Sequence, residues 1–281
     1  MQTRVEKDML GNLEIDCEAY YGIHTQRAVE NFKISSDKIA NYPEFIRAMI
    51  LTKKACAMAN GEIGILPEEK TNLIIKACDH ILSDITKFQA SFPVDVFQGG
   101  AGTSVNMNTN EVIANVALEL DGKKKGDYSH IHPNDHVNKS QSTNDAFPTG
   151  FRVALYFSIG SLIKNIRTLN KVIEKKSLEF KEVLKMGRTQ LQDAIPMSLR
   201  DEFKAWKVNL QEEERNLERI RKLILEVNLG ATAIGTGANA HKDFSKTAIQ
   251  KLIEITEANF IPAKNLIEAT SDLPPKNMST F

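Results

Sequence analysis

From Leu199 to Val227 the apolar residues Leu199, Phe203, Trp206, Leu210, Leu217, Ile220, Ile224 and Val227 recur at alternating four- and three-residue steps, broken only at Glu213. Such a seam runs along one face of a long helix and is buried only against other helices. A second long helical pattern, Gly150–Leu184, precedes it, with a turn at Gly187–Pro196 between them. Strand signals are few, so the expected fold class is all-α.

The N-terminal half reads as shorter helices. Residues 1–42 mix charges, glycines and aromatics without clear period and read as irregular. Pro43 opens a helix at a position where its missing N–H costs little, and Gly61 and Gly64 end it. Pro67 begins a second, with Leu73, Ala77, Ile81, Ile85 and Phe88 forming one apolar stripe. A third starts near Ser104–Asn108 and runs to Leu120, before a Gly/Lys/His/Pro-rich loop at 121–135. These features divide the chain near residue 140, into 1–140 and 141–281. Further on, Gly230–Gly237 interrupts the helical pattern, Phe244–Thr256 is amphipathic, and Ala263–Ser271 starts another helix. Leu273–Phe281 carries two prolines and cannot continue a bundle helix.

Charge narrows the partners. Lys+Arg and Asp+Glu both total 36, which leaves no broad basic field for a phosphate backbone, so nucleic acid is not expected as a partner. Cys17, Cys56 and Cys78 have no metal-ligand spacing and read as reduced thiols. The N-terminus shows no apolar signal region, and the apolar stretch Val153–Ile163 is too short to span a bilayer. The expectation is a soluble cytoplasmic protein with no membrane partner.

Three polar stretches stand beside the helices: Gly99–Glu111, His136–Thr149 and Met186–Pro196. In the first, Thr103 and Ser104 fall where a helix begins, suited either to capping or to holding an anion. Asn106, Asn108, Thr109 and Asn110 follow; Asn disfavours helix interiors, so this run points to buried partners or a ligand. In the second, Ser142, Thr143, Asn144 and Asp145 exceed what a cap needs, and Asn144 or Asp145 is the natural cap. In the third, Thr189, Gln190, Gln192 and Asp193 read as a solvated turn, with Arg188 as the anion partner. His130, His132 and His136 resemble a loose metal cluster but read better as loop histidines, so no metal site is expected. The glycines of GGAG belong to no Walker or dinucleotide motif.

Taken together, GGAGTSVNMNTNEV, PNDHVNKSQSTNDAFPTG, MGRTQLQDA and LGATAIGTG resemble the aspartase/fumarase superfamily, from about Leu10 to Asp272. GGAGTSVNMN, STND and Gln190 are closer to its aspartase branch than to class II fumarases, which typically read GSGTQSNMN, SSND and GRTH. The resemblance implies an N-terminal helical domain followed by a long helix bundle, and a homotetramer whose active sites each combine three subunits. It implies reversible elimination of ammonia from L-aspartate to give fumarate, without an organic cofactor, and leaves Mg2+ activation open. Class II fumarase is the alternative.

Carried over by position, Thr103, Ser104, Thr143, Asn144, Thr189 and Gln190 would bind substrate. His132, Asn134 and Asp135 match an accessory dicarboxylate site of fumarases. The family's general base is a serine on a loop resembling GSSxMPxKxNP, a pattern these 281 residues lack, so no catalytic residue is assigned. Arg200-Asp201 stands where the family usually has Gly-Gln. The resemblance therefore implies an incomplete bundle, lacking its last part and a third domain. A chain that only assembles or binds is the further alternative.

Overall fold

The computed structural model describes residues 2–100 and 102–271. Ala101 of the GGAG stretch and the Leu273–Phe281 tail lie outside the described residues. Two compact units form: Met1–Ala154 with the described part of Leu225–Phe281, and Leu155–Ile224. The division expected near residue 140 falls inside the first unit, because the segment from Leu225 onward folds with the N-terminal helices.

The first unit begins with an antiparallel hairpin, β1 (Thr3–Asp8) and β2 (Gly11–Asp16), then α1 (Ile23–Asn31), where sequence had suggested irregular chain. Its core is built by α2 (Pro43–Glu62), α3 (Glu68–Ser83), the short α4 (Ile85–Phe88) and α5 (Thr103–Leu120). The apolar stripe of α3 continues into α4 past a break at Asp84, and Leu73, Ala77, Ile81, Ile85 and Phe88 are all buried.

From Val105 to Leu118 every residue of α5 but Met107 is buried, its Asn, Thr and Glu side chains included, while Thr103 is exposed and Ser104 half-buried. Its Asn run is explained by buried partners: Asn108 Nδ2 donates to Ser91 O at 2.8 Å, and Asn110 Nδ2 to Asn138 Oδ1 at 3.2 Å. Glu111 accepts the backbone N–H groups of Gly22, His24 and Thr25 and the Thr25 hydroxyl, anchoring the start of α1 as a carboxylate at a helix N-terminus does.

Helix α6 (Thr143–Glu179) begins in the first unit and runs through the second. The apolar stretch at Val153–Ile163 thus belongs to a 37-residue helix. One window of it, of mean hydropathy 1.2, is long and apolar enough to cross a membrane by length and composition, as bundle core helices also are.

In the second unit a hairpin, β3 (Leu184–Thr189) and β4 (Gln192–Ser198), leads to α7 (Leu199–Leu223). The expected turn at Gly187–Pro196 is therefore two paired strands closed by Gln190 and Leu191, both at positive φ, the hairpin geometry that matches strand twist. Tyr156 faces Arg221, Arg167 binds Glu214 and Glu218, Glu174 binds Lys207, and Phe180 packs on Phe203. That reversed order makes α6 and α7 antiparallel. The seam stops short of its expected end: α7 ends at Leu223.

Val227 lies in the first unit, in β5 (Glu226–Val227), parallel to β6 (Ile261–Pro262). Between them α8 (Phe244–Thr256) packs on α2, as its amphipathic pattern predicts, and α9 (Leu266–Ser271) closes the described chain.

Candidate functional site

A cavity of about 690 Å³ opens in the first unit where the loop before α6, the first turn of α6 and the segment 232–239 meet. Asn106, Asn138, Gln141, Ser142, Thr143 and Thr232 are in its wall. The polar lining suits a small, charged, hydrogen-bonding ligand.

The start of α6 is held by a reciprocal cap. Ser142 Oγ accepts from Asn144 N at 3.2 Å, and Asp145 Oδ1 accepts from Ser142 N at 3.0 Å. Ser142 therefore caps the helix, where Asn144 or Asp145 was expected. The other carboxylate oxygen of Asp145 accepts from Thr232 N at 2.8 Å and Gly230 N at 3.2 Å. Burial pushes the Asp145 pKa up to about 6, against these N–H groups and Lys53, which favour its ionised form.

Behind the cavity wall lies Lys53, fully buried on α2. Its Nζ donates to Asn106 Oδ1 at 2.7 Å, Gln141 Oε1 at 2.8 Å and Asn138 Oδ1 at 2.9 Å. Three acceptors match the three donors of an ammonium. Burial pulls the Lys53 pKa down to about 8, while Asp145 is among the groups opposing that fall. The buried cation contributes positive potential at the cavity wall, offset in part by the buried Asp145 carboxylate.

Of the residues expected to bind substrate, Thr143 is in the cavity wall. Asn144 follows it in α6, but its Nδ2 donates to Ala233 O at 2.7 Å, which leaves Oδ1 as its acceptor for a ligand. Thr103 and Ser104 open α5 without capping it; Gln98 Oε1 accepts from Val105 N instead. Gly102, at φ +89°, precedes them, and an added Cβ there would overlap the Phe147 ring of α6, so the starts of α5 and α6 adjoin. Thr189 and Gln190 belong to the second unit, exposed at the tip of the β3–β4 hairpin.

Asn134 and Asp135 also line the cavity. His132 does not; its Nδ1 accepts from Asn134 N and Asp135 N, both at 3.1 Å, and so closes a π-type turn at Pro133–Val137. His136 Nε2 lies 2.8 Å from Lys70 Nζ. Among the described residues no group of three His, Cys, Asp or Glu side chains is placed to hold a metal ion. Sequence reasoning missed Lys53 and the structural use of 230–239, which it read as a helix break and a family motif.

A lyase family profile matches residues 11–274. Aspartate ammonia-lyase of Escherichia coli (strain K12) is 57% identical over 269 residues, covering 96% of this chain and 56% of that protein. Aspartate ammonia-lyase of Corynebacterium glutamicum is 52% identical, covering 96% and 51%. A crystal structure of a fumarate lyase:delta crystallin from Brucella melitensis bound to cobalt has a TM-score of 0.92 at 48% identity, covering 96% of this chain and 58% of that one. A recombinant class II fumarase from Schistosoma mansoni has a TM-score of 0.87 at 31% identity, covering 95% and 59%. The chain spans a little over half the length of the curated relatives it matches.

Proposed function

The chain belongs to the lyase family, and from that premise we propose that its residues serve the reversible elimination of ammonia from L-aspartate to give fumarate. The observation that carries this reading is the cavity at the start of α6, with Thr143 in its wall and the buried Lys53 behind it. The identity to aspartate ammonia-lyases supports aspartate over malate, since the class II fumarase match is lower.

Eliminating ammonia requires taking a weakly acidic proton from the carbon next to a carboxylate. The charge that develops is an enediolate on that carboxylate. Fixed donors aimed at it are worth roughly 3 kcal/mol each. In this reading Thr103, Ser104 and Thr143 hold the substrate carboxylates. Asn144, whose amide donates to Ala233, offers Oδ1 to the substrate ammonium. Thr189 and Gln190 grip the far end of a substrate bound to another subunit of a homotetramer. An accessory dicarboxylate site at His132, Asn134 and Asp135 would use His132 Nε2, because Nδ1 closes the turn. Proton removal is assigned to no residue among these 281. The compartment in this reading is the cytoplasm.

Calorimetric titration of the folded chain with fumarate and with L-aspartate tests the reading. Saturable binding of both, each competing with the other, is the expected result. Absence of heat from either, with the helical circular dichroism intact, overturns it. Saturable binding of malate with no binding of L-aspartate would move the assignment to a fumarase.

A further inference from the structure

The segment 232–239 lines one side of the cavity, and few backbone bonds of its own shape it: Ala231 N donates to Asn228 O and Gly237 N to Ala231 O, both at 2.9 Å. It has no regular structure, and Thr232 holds φ +61°, a conformation that β-branched residues avoid. Gly230, at φ +87°, precedes it, and an added Cβ there would lie 2.6 Å from Ser245 Cβ. Contacts from outside the segment add to those bonds.

Ser245 Oγ donates to Leu229 O at 2.6 Å and Asn228 Nδ2 to Thr270 Oγ1 at 3.0 Å, and the first turn of α6 supplies the other holds. Asp145 Oδ2 accepts from Gly230 N and Thr232 N, Asn144 Nδ2 donates to Ala233 O, and Asn228 Nδ2 donates to Asn144 O at 3.0 Å. Asp145 is fully buried, and the hydrogen bonds to its carboxylate come from backbone N–H groups. A helix cap needs one carboxylate oxygen and tolerates solvent. Here the second oxygen reaches a segment 85 residues away in sequence. Burying a carboxylate is costly, and a cap alone does not require it.

We propose that Asp145 is a positioning residue, whose carboxylate locks the Gly230–Thr232 turn to the Ser142–Thr143 helix start and so fixes both walls of the dicarboxylate cavity; this rests on the function proposed above. The lock brings to the cavity wall a further group, the Thr232 hydroxyl, which is buried without a hydrogen-bond partner. A dicarboxylate seated against Thr143 is the ligand class that would meet it.

Asp145→Asn keeps the side-chain shape, but its amide can accept from only one of the two donor sets. The test measures succinate affinity, as an unreactive dicarboxylate, by calorimetry, together with the amide ¹H–¹⁵N resonances of Gly230 and Thr232. The expected result is affinity weakened by about tenfold, with both resonances moved and the helical circular dichroism retained. Unchanged affinity and unchanged resonances in a folded Asp145→Asn overturn the proposal. If that variant does not fold, hydrogen exchange at the Gly230 and Thr232 amides of the wild-type chain carries the test, because both N–H groups donate to the buried Asp145 carboxylate. Strong protection of both amides then supports the proposal, and exchange at the rate of open chain overturns it. Should the wild-type chain bind no succinate, the functional reading falls, and the two resonances still decide whether Asp145 holds the segment.

Discussion

Nζ of Lys53 lies 2.7 Å from Oδ1 of Asn106, and both side chains are buried. The same ammonium reaches Asn138 and Gln141, so one cation joins α2, α5 and the loop that precedes α6. Lys53→Met removes the donor and leaves three amide oxygens to find partners in a dry site. The expected cost is about 3 kcal/mol of stability, read as a lower urea midpoint, with weaker fumarate binding. An unchanged midpoint would show that the three contacts add nothing.

Glu111 is fully buried, and desolvation pushes its pKa up from the ordinary value of 4.5 to about 7, in spite of the Thr25 hydroxyl and the N–H groups that favour its ionised form. A carboxyl whose pKa is higher folded than unfolded binds more protons in the folded state. Its contribution is therefore fully present below the unfolded value and lost as pH rises through the folded one. Glu111→Gln should flatten the fall in stability between pH 4.5 and about 7. Urea unfolding across that window measures it, and an unaltered pH slope would contradict the assignment.

Gly102→Ala meets two obstacles, a backbone at φ +89° and the ring of Phe147. The substitution should cost about 2 kcal/mol and displace Thr103 and Ser104. A thermal midpoint equal to that of the wild-type chain would mean that α5 and α6 do not pack here as described.

Leu191 is 99% exposed and holds φ +66° at the tip of the β3–β4 hairpin. Glycine adopts that conformation freely, so Leu191→Gly should stabilise the hairpin by about 1 kcal/mol. Hydrogen exchange at the β3 and β4 amides reports it. Faster exchange would show that the leucine side chain holds the turn.

These positions also show which parts of the structure could be read from sequence. Proline at the start of α2 and the amphipathic run Phe244–Thr256 marked their helices because local geometry and periodicity suffice there. The turn between the two long helices was legible but its paired strands were not, because Gln190-Leu191 is not a hairpin sequence and the pairing of the strands holds both residues at positive φ. Lys53 and Lys54 are adjacent and chemically equal on paper. Lys54 pairs with Asp79 near the surface, and Lys53 is enclosed by amides from elements far along the chain. Of the polar run 142–145, Ser142 and Thr143 lie in the cavity wall. The role of 232–239 as its opposite wall rests in part on contacts from α6 across more than 80 residues.

Fumarate titration of the wild-type chain against Thr143→Ala, by calorimetry at constant pH and low salt, tests the central claim most directly. The account predicts saturable fumarate binding to the wild-type chain and affinity lower by about tenfold in the variant, with both proteins equally helical. Binding that is absent from the wild-type chain, or that Thr143→Ala leaves unchanged, would contradict it.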